Sequence, residues 1–238
     1  MLIEDEGIVL RQWPLGEAGA IFSVLTRSHG KARLVSNSIK KNKSMRSSLA
    51  PFMRDSFVYW KGKSELSRLS QSSLLSPFGL YLSSNYDSYL AACLMAEITD
   101  KLFEPFQGEE SDYLLLWGAL SALSKKKREA WKILLSYELR IVANAGWRPE
   151  ILACAECGRE GDFLSFSMQK GGWVCQKCAS ADAIRFSKPQ KELFCALLLG
   201  EWEKCREPDG KVEKLIKDWV NYYLDRKLNS LKVIREKI

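Results

Sequence analysis

Four of the seven cysteines fall into two C-x-x-C pairs, Cys154/Cys157 and Cys175/Cys178, with 17 residues between the pairs. That spacing is the one expected of a zinc ribbon or knuckle. Two cysteines three positions apart let one tight turn present both sulfurs to a single ion. Gly158 gives the first turn room, Gly171-Gly172 can form the turn of a short hairpin, and Phe163, Phe166 and Trp173 can back the site with apolar surface. Four thiolates close a tetrahedron and leave no position for water or substrate, so the implied role is structural, with one Zn²⁺ per chain. Iron is the other metal such a set accepts. A redox dithiol is the non-metal alternative, but the thioredoxin type needs its C-x-x-C at a helix start in a βαβ context, which this sequence lacks. Cys93, Cys195 and Cys205 sit in apolar or helical surroundings and read as reduced core residues; an odd total of seven argues against a secreted disulfide framework.

A second set of residues points to a polyanion. The chain of 238 residues carries 36 basic and 29 acidic side chains, and residues 1–80 hold 12 basic against 6 acidic. Between Arg27 and Arg68 the basic residues are Arg27, Lys31, Arg33, Lys40, Lys41, Lys43, Arg46, Arg54, Lys61, Lys63 and Arg68, opposed only by Asp55 and Glu65. Of these, Arg27, Lys31, Arg33, Lys40, Lys41, Lys43 and Arg46 are the candidate nucleic-acid contacts. A solvated basic loop is the bland alternative.

The equipment for catalysis is thin. No G-x-x-x-x-G-K-[ST] occurs, Gly16-Glu17-Ala18-Gly19 is too short to cradle a phosphate, and the one histidine, His29, reads as an exposed turn residue. With no open metal site the chain reads as a non-enzyme, carboxylate-only chemistry being the remaining enzymatic option. No apolar stretch approaches the ~20 residues of a membrane span. The acidic start Glu4-Asp5-Glu6, read as a solvated terminus, lacks the basic region of a signal peptide, which sets the expectation of a cytoplasmic, nucleoid-associated protein.

The elements that position these residues divide in two, an α+β organisation. Gly7–Arg11, Ala20–Thr26, Lys31–Ser36, Asp55–Trp60 and Leu66–Leu69 read as short strands, with a turn at Ser28-His29-Gly30 and a basic loop from Ser38 to Ser48. Five strands in about 75 residues suggest a small barrel, of which the OB-fold is the commonest kind. The serine-rich stretch from Ser70 to Ser84 marks a junction. The expected domains are therefore a nucleic-acid-binding barrel over 1–78 and a helical domain over 79–238, with the cysteine module inserted at 152–180. Helices are expected from Tyr86 to Phe103, from a Ser111 cap to about Leu123, from Arg128 to Ala145 and along the amphipathic run Val212–Leu231.

An ordered set of motifs resembles the bacterial RecO family. Gly7-Ile8-Val9-Leu10-Arg11, Leu15-Gly16-Glu17, Leu25-Thr26 and Gly30-Lys31 are similar to its opening, and Lys40-Lys41-Asn42-Lys43-Ser44 with Leu49-Ala50-Pro51-Phe52 to its next block. Tyr137-Glu138-Leu139-Arg140, Gly146-Trp147-Arg148-Pro149, Cys154-Ala155-Glu156-Cys157-Gly158 and Phe166-Ser167, Gly171-Gly172, Cys175-x-x-Cys178 complete it. Asn37-Ser38 depart from the glycine-alanine pair usual before the basic residues. The resemblance implies an N-terminal OB-fold and a helical domain with a four-cysteine zinc site. It implies binding of single- and double-stranded DNA and annealing without ATP. It also implies contacts with RecR, with the acidic tail of single-stranded DNA-binding protein (SSB) and in many relatives with RecF, so as to load RecA onto SSB-coated DNA. Arg128, Lys132 and Arg140, basic residues beside an apolar helical stripe, are the candidates for the SSB tail.

The mechanism so read is electrostatic. Basic residues neutralise phosphates while Phe22, Phe57, Tyr59 or Trp60 stack on bases, unless those rings fill the barrel core. A zinc-ribbon factor of transcription or translation shares the zinc and the charge and is the rival reading.

Overall fold

The computed structural model describes residues 1–37, 39, 49–62 and 64–224, which fall into two compact units, Met1–Leu134 and Leu135 onward. The first unit starts with strands β1 (Leu2–Leu15), β2 (Gly19–Thr26), β3 (Gly30–Ser36), β4 (Arg54–Trp60) and β5 (Leu66–Ser76). They close into a barrel in the order β1-β2-β3-β5-β4, with β3 and β5 parallel and the other pairs antiparallel. A closed five-stranded barrel with this single parallel contact is the OB arrangement.

Strand alternation builds the barrel. Val9, Phe22, Val24, Leu34, Phe57, Tyr59 and Leu69 point inward into one buried cluster. β1 is long enough to serve two neighbours: Leu2–Ile8 pairs with β4 and Gly7–Leu15 with β2. A register shift between Val9 and Arg11 marks the bulge that bends it from one to the other. This strand is longer than the expected Gly7–Arg11, and the acidic start lies inside it. Asp5 is buried and accepts hydrogen bonds from the Ser28 amide at 2.9 Å and lies 2.8 Å from His29 Nδ1, so it ties down the β2–β3 turn. Asp5 and, through Arg54, Glu6 are thus structural rather than part of a solvated terminus, while the Glu4 side chain stays exposed. β5 likewise runs through the serine-rich stretch to Ser76, because the serines pair with β4 down to Arg54.

Helices α1 (Phe78–Leu82), α2 (Tyr86–Leu102) and α3 (Glu110–Ser124) complete the first unit, and α4 (Ala130–Asn144) leads into the second. α3 begins earlier than a Ser111 cap implies, because Glu109 and Asp112 form a reciprocal capping box. The turn before β3 is fixed by contact: a Cβ on Gly30, whose φ is +66°, would lie 2.3 Å from the Gln107 carbonyl oxygen. That leaves no side chain but hydrogen possible there.

The second unit inserts three short strands, β6 (Ser165–Ser167), β7 (Gly172–Val174) and β8 (Ile184–Arg185), before α5 (Lys188–Leu199) and α6 (Gly210–Tyr223). The sheet order is β7-β6-β8. Phe166 from β6 meets Trp173, Phe194 and Trp219 at ring-centroid distances of 5.2, 5.5 and 5.4 Å, a core of largely edge-to-face aromatics. α5 is signposted by Ser187 at its cap, Pro189 in its first turn and Gly200 at its end, signals the sequence reading passed over. The last amphipathic helix is expected to reach Leu231; α6 is described to Tyr223, and Leu228 and Leu231 lie outside the described residues.

Candidate functional site

The four cysteines converge. The sulfurs of Cys154, Cys157, Cys175 and Cys178 all lie within 4.8 Å of one another, and Cys157 Sγ and Cys175 Sγ are 4.0 Å apart. Zinc–sulfur bonds of about 2.3 Å at tetrahedral angles put sulfurs roughly 3.8 Å apart, whereas a disulfide needs about 2.05 Å. The spacing therefore fits four ligands around one ion.

The local backbone explains the convergence. Each pair sits on a tight turn, closed by the Gly158 amide on the Cys154 carbonyl at 2.8 Å and by the Cys178 amide on the Cys175 carbonyl at 3.0 Å. Gly158 takes φ +70°, the left-handed conformation that ends the first turn. The β6–β7 hairpin then carries the second turn to the first, and Gly172 lets it close. A Cβ there would be 2.5 Å from the Glu150 carbonyl oxygen, where the Trp173 amide donates to that same oxygen at 3.1 Å. The apolar backing is Val174 with Phe163, Ala155 and Ala183. Phe163 fills the expected role; Phe166 and Trp173 instead hold the hairpin on α5 and α6.

The electrostatics favour thiolate at Cys154 and Cys175 but not at Cys178. Burial works against charge on Cys154, but amide donors from Cys157, Cys175 and Glu156 outweigh it and pull the thiol down to about 6. Cys175 is also lowered, while hydrogen bonding to Cys175, burial and the neighbouring thiols push Cys178 up to about 12. Four sulfurs this close cannot all carry charge without a cation among them. A divalent ion held by all four sulfurs would supply that cation, and its closed shell would leave no coordination site for a reactant.

The basic residues fare differently. Lys31 is buried, and its Nζ donates to the Asp100 carbonyl at 2.5 Å near the end of α2, with an Asp100 carboxylate oxygen at 3.8 Å. The amine satisfies an open carbonyl of the last helical turn and stabilises its negative end. Lys31 is therefore a structural strut, not a phosphate contact. Arg27 pairs with Glu110 on α3 at 2.7 Å, and Arg33 with Glu65 at 3.0 Å; both remain partly exposed. Arg54 is held by Glu6 at 2.7 Å and Tyr113 at 2.8 Å and lies over the Trp117 ring, which fixes α3 to the barrel. Burial disfavours the Glu6 carboxylate, but the Arg54 and Tyr113 bonds more than offset this and hold it below its ordinary range. Lys40, Lys41, Lys43 and Arg46 lie outside the described residues.

Phe22, Phe57 and Tyr59 are fully buried barrel core and cannot stack on bases, whereas Trp60 is exposed. Arg11 and Arg68, which are not among the expected contacts, stand exposed on β1 and β5. Among the partner candidates, Lys132 pairs with Glu129 at 3.0 Å. Arg128 is exposed just before α4. Arg140 is half-buried, its Nη1 3.6 Å from where a Cβ on Gly200 would stand; burial and then Arg148 lower its pKa.

Comparison with known proteins gives one answer along the whole chain. The family model described as "Recombination protein O N terminal" matches residues 1–78, and "Recombination protein O C terminal" matches 83–232. A protein named "DNA repair protein RecO" from Bifidobacterium longum (strain DJO10A) is 36% identical over 238 residues, covering 98% of each chain. Proteins of the same name from Streptomyces avermitilis, 33% identical with 99% of each chain covered, and Thermobifida fusca, 32% with 98% of each, are similar throughout. With both family models matched in order on a five-stranded barrel and a helical region carrying four converging cysteines, the chain belongs to the RecO family.

Proposed function

We propose that this protein is a DNA repair and recombination mediator. It binds single- and double-stranded DNA, anneals complementary strands without ATP, and with RecR helps load RecA onto SSB-coated DNA. The observation that carries the reading is the end-to-end similarity to proteins named for DNA repair, on a chain whose barrel has OB topology. The basic residues Lys40, Lys41, Lys43 and Arg46, together with the partly exposed Arg27 and Arg33, neutralise phosphates. Annealing needs only charge screening and exposed base edges, so no catalytic group is required and the protein acts as a non-enzyme.

Cys154, Cys157, Cys175 and Cys178 hold one structural zinc. The metal supplies the positive charge that lets four thiolates coexist. The chain's own residues do the rest: the two turns aim the sulfurs and Phe163 and Val174 shield them. The acidic tail of SSB docks on the helical region, with Arg140, Lys132 and Arg128 as its contacts; RecR and, where it exists, RecF are further partners. The protein works in the cytoplasm, at the nucleoid; no helix among the described residues is long and apolar enough to cross a membrane.

The test is strand annealing. Two complementary labelled oligonucleotides, one coated with SSB, should pair faster when the full chain is added without nucleotide. Unchanged pairing at low salt would refute the reading.

A further inference from the structure

The four cysteines differ in what reaches them. Cys154 and Cys175 are 2% and 4% exposed, Cys178 is half-buried, and Cys157 is open to solvent. Cys157 sits at the outer end of the first turn, and Gly158 and Arg159 beyond it are exposed as well. Lys177, between the two cysteines of the second turn, is a second exposed cation of the module. A sulfur that is accessible and set among cations is the kind that attacks oxidants, whereas buried structural cysteines are inert.

Cys157 also has a neighbour that can complete the reaction. Cys175 Sγ lies 4.0 Å away on the opposite turn. Backbone bonds hold the two turns side by side without help from a metal. The Ala155 amide donates to the Trp173 carbonyl at 2.8 Å, the Trp173 amide to the Glu150 carbonyl at 3.1 Å and the Cys175 amide to Cys154 Sγ at 3.3 Å. Phe166 and Trp173, packed on each other and on Phe194, anchor the hairpin from the far side. A bond between Cys157 and Cys175 thus asks the two sulfurs to close by about 2 Å, while the strands around them stay zipped. The other three thiols offer no such route. Burial pushes Cys93 up and Cys195 up to about 11, and Cys205 is buried with its Sγ donating to the Glu201 carbonyl at 3.7 Å.

We infer that Cys157 is an oxidation site for hydrogen peroxide, and that its oxidation closes a Cys157–Cys175 disulfide and expels the metal. The inference rests on the zinc reading above. In the first step the Cys157 thiolate attacks one peroxide oxygen. An S–O bond forms, the O–O bond breaks and hydroxide leaves, so the sulfur is oxidised to a sulfenic acid and the peroxide is reduced. In the second step the Cys175 thiolate attacks the Cys157 sulfur. The S–S bond forms, the S–O bond breaks and a second hydroxide leaves. Two protons from solvent turn both hydroxides into water. Only Cys154 and Cys178 then remain as thiol ligands, too few to close a tetrahedron. The disulfide takes over the link between the two turns, so a thiol reductant and fresh zinc restore the starting state.

The experiment treats the zinc-loaded full chain with hydrogen peroxide beside a metallochromic dye, then alkylates and digests it for mass spectrometry. The chain should release its one zinc in step with the loss of two thiols. The peptide map should link Cys157 to Cys175, with Cys93, Cys195 and Cys205 still alkylated. Dithiothreitol with zinc should reverse both changes. Cys157→His keeps four ligands without the exposed sulfur and should hold its zinc through the same treatment; if that variant binds no zinc, the wild-type peptide map decides. Near-ultraviolet dichroism of the oxidised wild type should change less than that of Cys175→Ser, which has neither metal nor bridge. Zinc retained with thiols intact overturns the inference, as does a bridge that leaves out Cys157 or Cys175, or release from Cys157→His at the wild-type rate. A wild-type chain that purifies folded and without zinc refutes the zinc reading itself.

Discussion

The cysteine module and the basic face of the barrel were both conspicuous in the sequence, and the structure treats them in opposite ways. All four cysteines reach one point, within 4.8 Å of each other. The basic residues disperse: Lys31 into the interior, Arg54 into a link to α3, Arg27 and Arg33 onto carboxylates. The difference lies in what each chemistry demands. A tetrahedral ion needs every ligand at once, so paired spacing carries geometric information. Phosphate binding needs only net charge, so a run of lysines and arginines says little about which of them face the ligand.

The largest effect expected is on the metal side of this contrast. Cys175→Ser should lose its zinc, and with it on the order of 10 kcal/mol of local folding free energy. Metal analysis should fall from one zinc per chain towards none. Near-ultraviolet dichroism should report loosening of the aromatic core around Phe166 and Trp173, while single-stranded DNA binding by the full chain remains. A folded, zinc-free wild-type protein would break the account of the module.

Lys31 sharpens the other side. Lys31→Met should destabilise the protein by about 3–5 kcal/mol, because it leaves Asp100 and the end of α2 without their buried cation. DNA affinity of the folded variant should not change. Urea unfolding read beside a binding titration separates the two effects; a stable variant with weakened DNA binding would restore Lys31 to the DNA surface.

Glu138 lies on α4, 1% exposed, with one carboxylate oxygen unpartnered. Burial pushes its pKa up to about 8, and Lys217, which would lower it, is engaged with Glu213. The folded state thus holds this proton across a window in which the unfolded chain, near 4.5, has released it. Its share of stability is complete below about 4.5 and declines as the pH rises towards 8. Glu138→Gln should remove that decline and raise stability at pH 8 by on the order of 2–4 kcal/mol. Thermal melts from pH 5 to 8 would show it; parallel curves for variant and wild type would contradict it.

The smallest effect belongs to Arg33. As half of an exposed ion pair, Arg33→Ala should change stability by no more than about 1 kcal/mol, measured by the same melts. A larger loss would make Arg33 another strut.

How far the sequence was readable follows the same logic. Three of the five expected strands, β2, β3 and β4, stand close to their expected bounds because their alternation is local, as in Ala20–Thr26. β1 outgrew its expected bounds because Asp5 and Glu6 read as surface residues; their partners, Ser28, His29 and Arg54, are brought up only by folding. The serines of β5 look like a linker in isolation and become strand by pairing with β4. The cysteine cluster was legible because its geometry is written in two short turns. The burial of Lys31 was not, since its partner Asp100 stands 69 residues away along the chain.

The central claim, that the chain binds DNA through the basic segment Lys40, Lys41, Lys43 and Arg46, meets its most direct test in one salt series. The full chain is titrated with a labelled single strand, alongside a variant with Lys40, Lys41 and Lys43 changed together to Ala. If about five phosphates are neutralised, the logarithm of the binding constant should fall with that of the salt concentration at a slope near −3.5. The triple variant should flatten that slope by roughly 2 and weaken binding to all sequences alike, with zinc content and dichroism unchanged. A variant that binds as wild type at every salt concentration would contradict the claim and leave the segment a solvated loop.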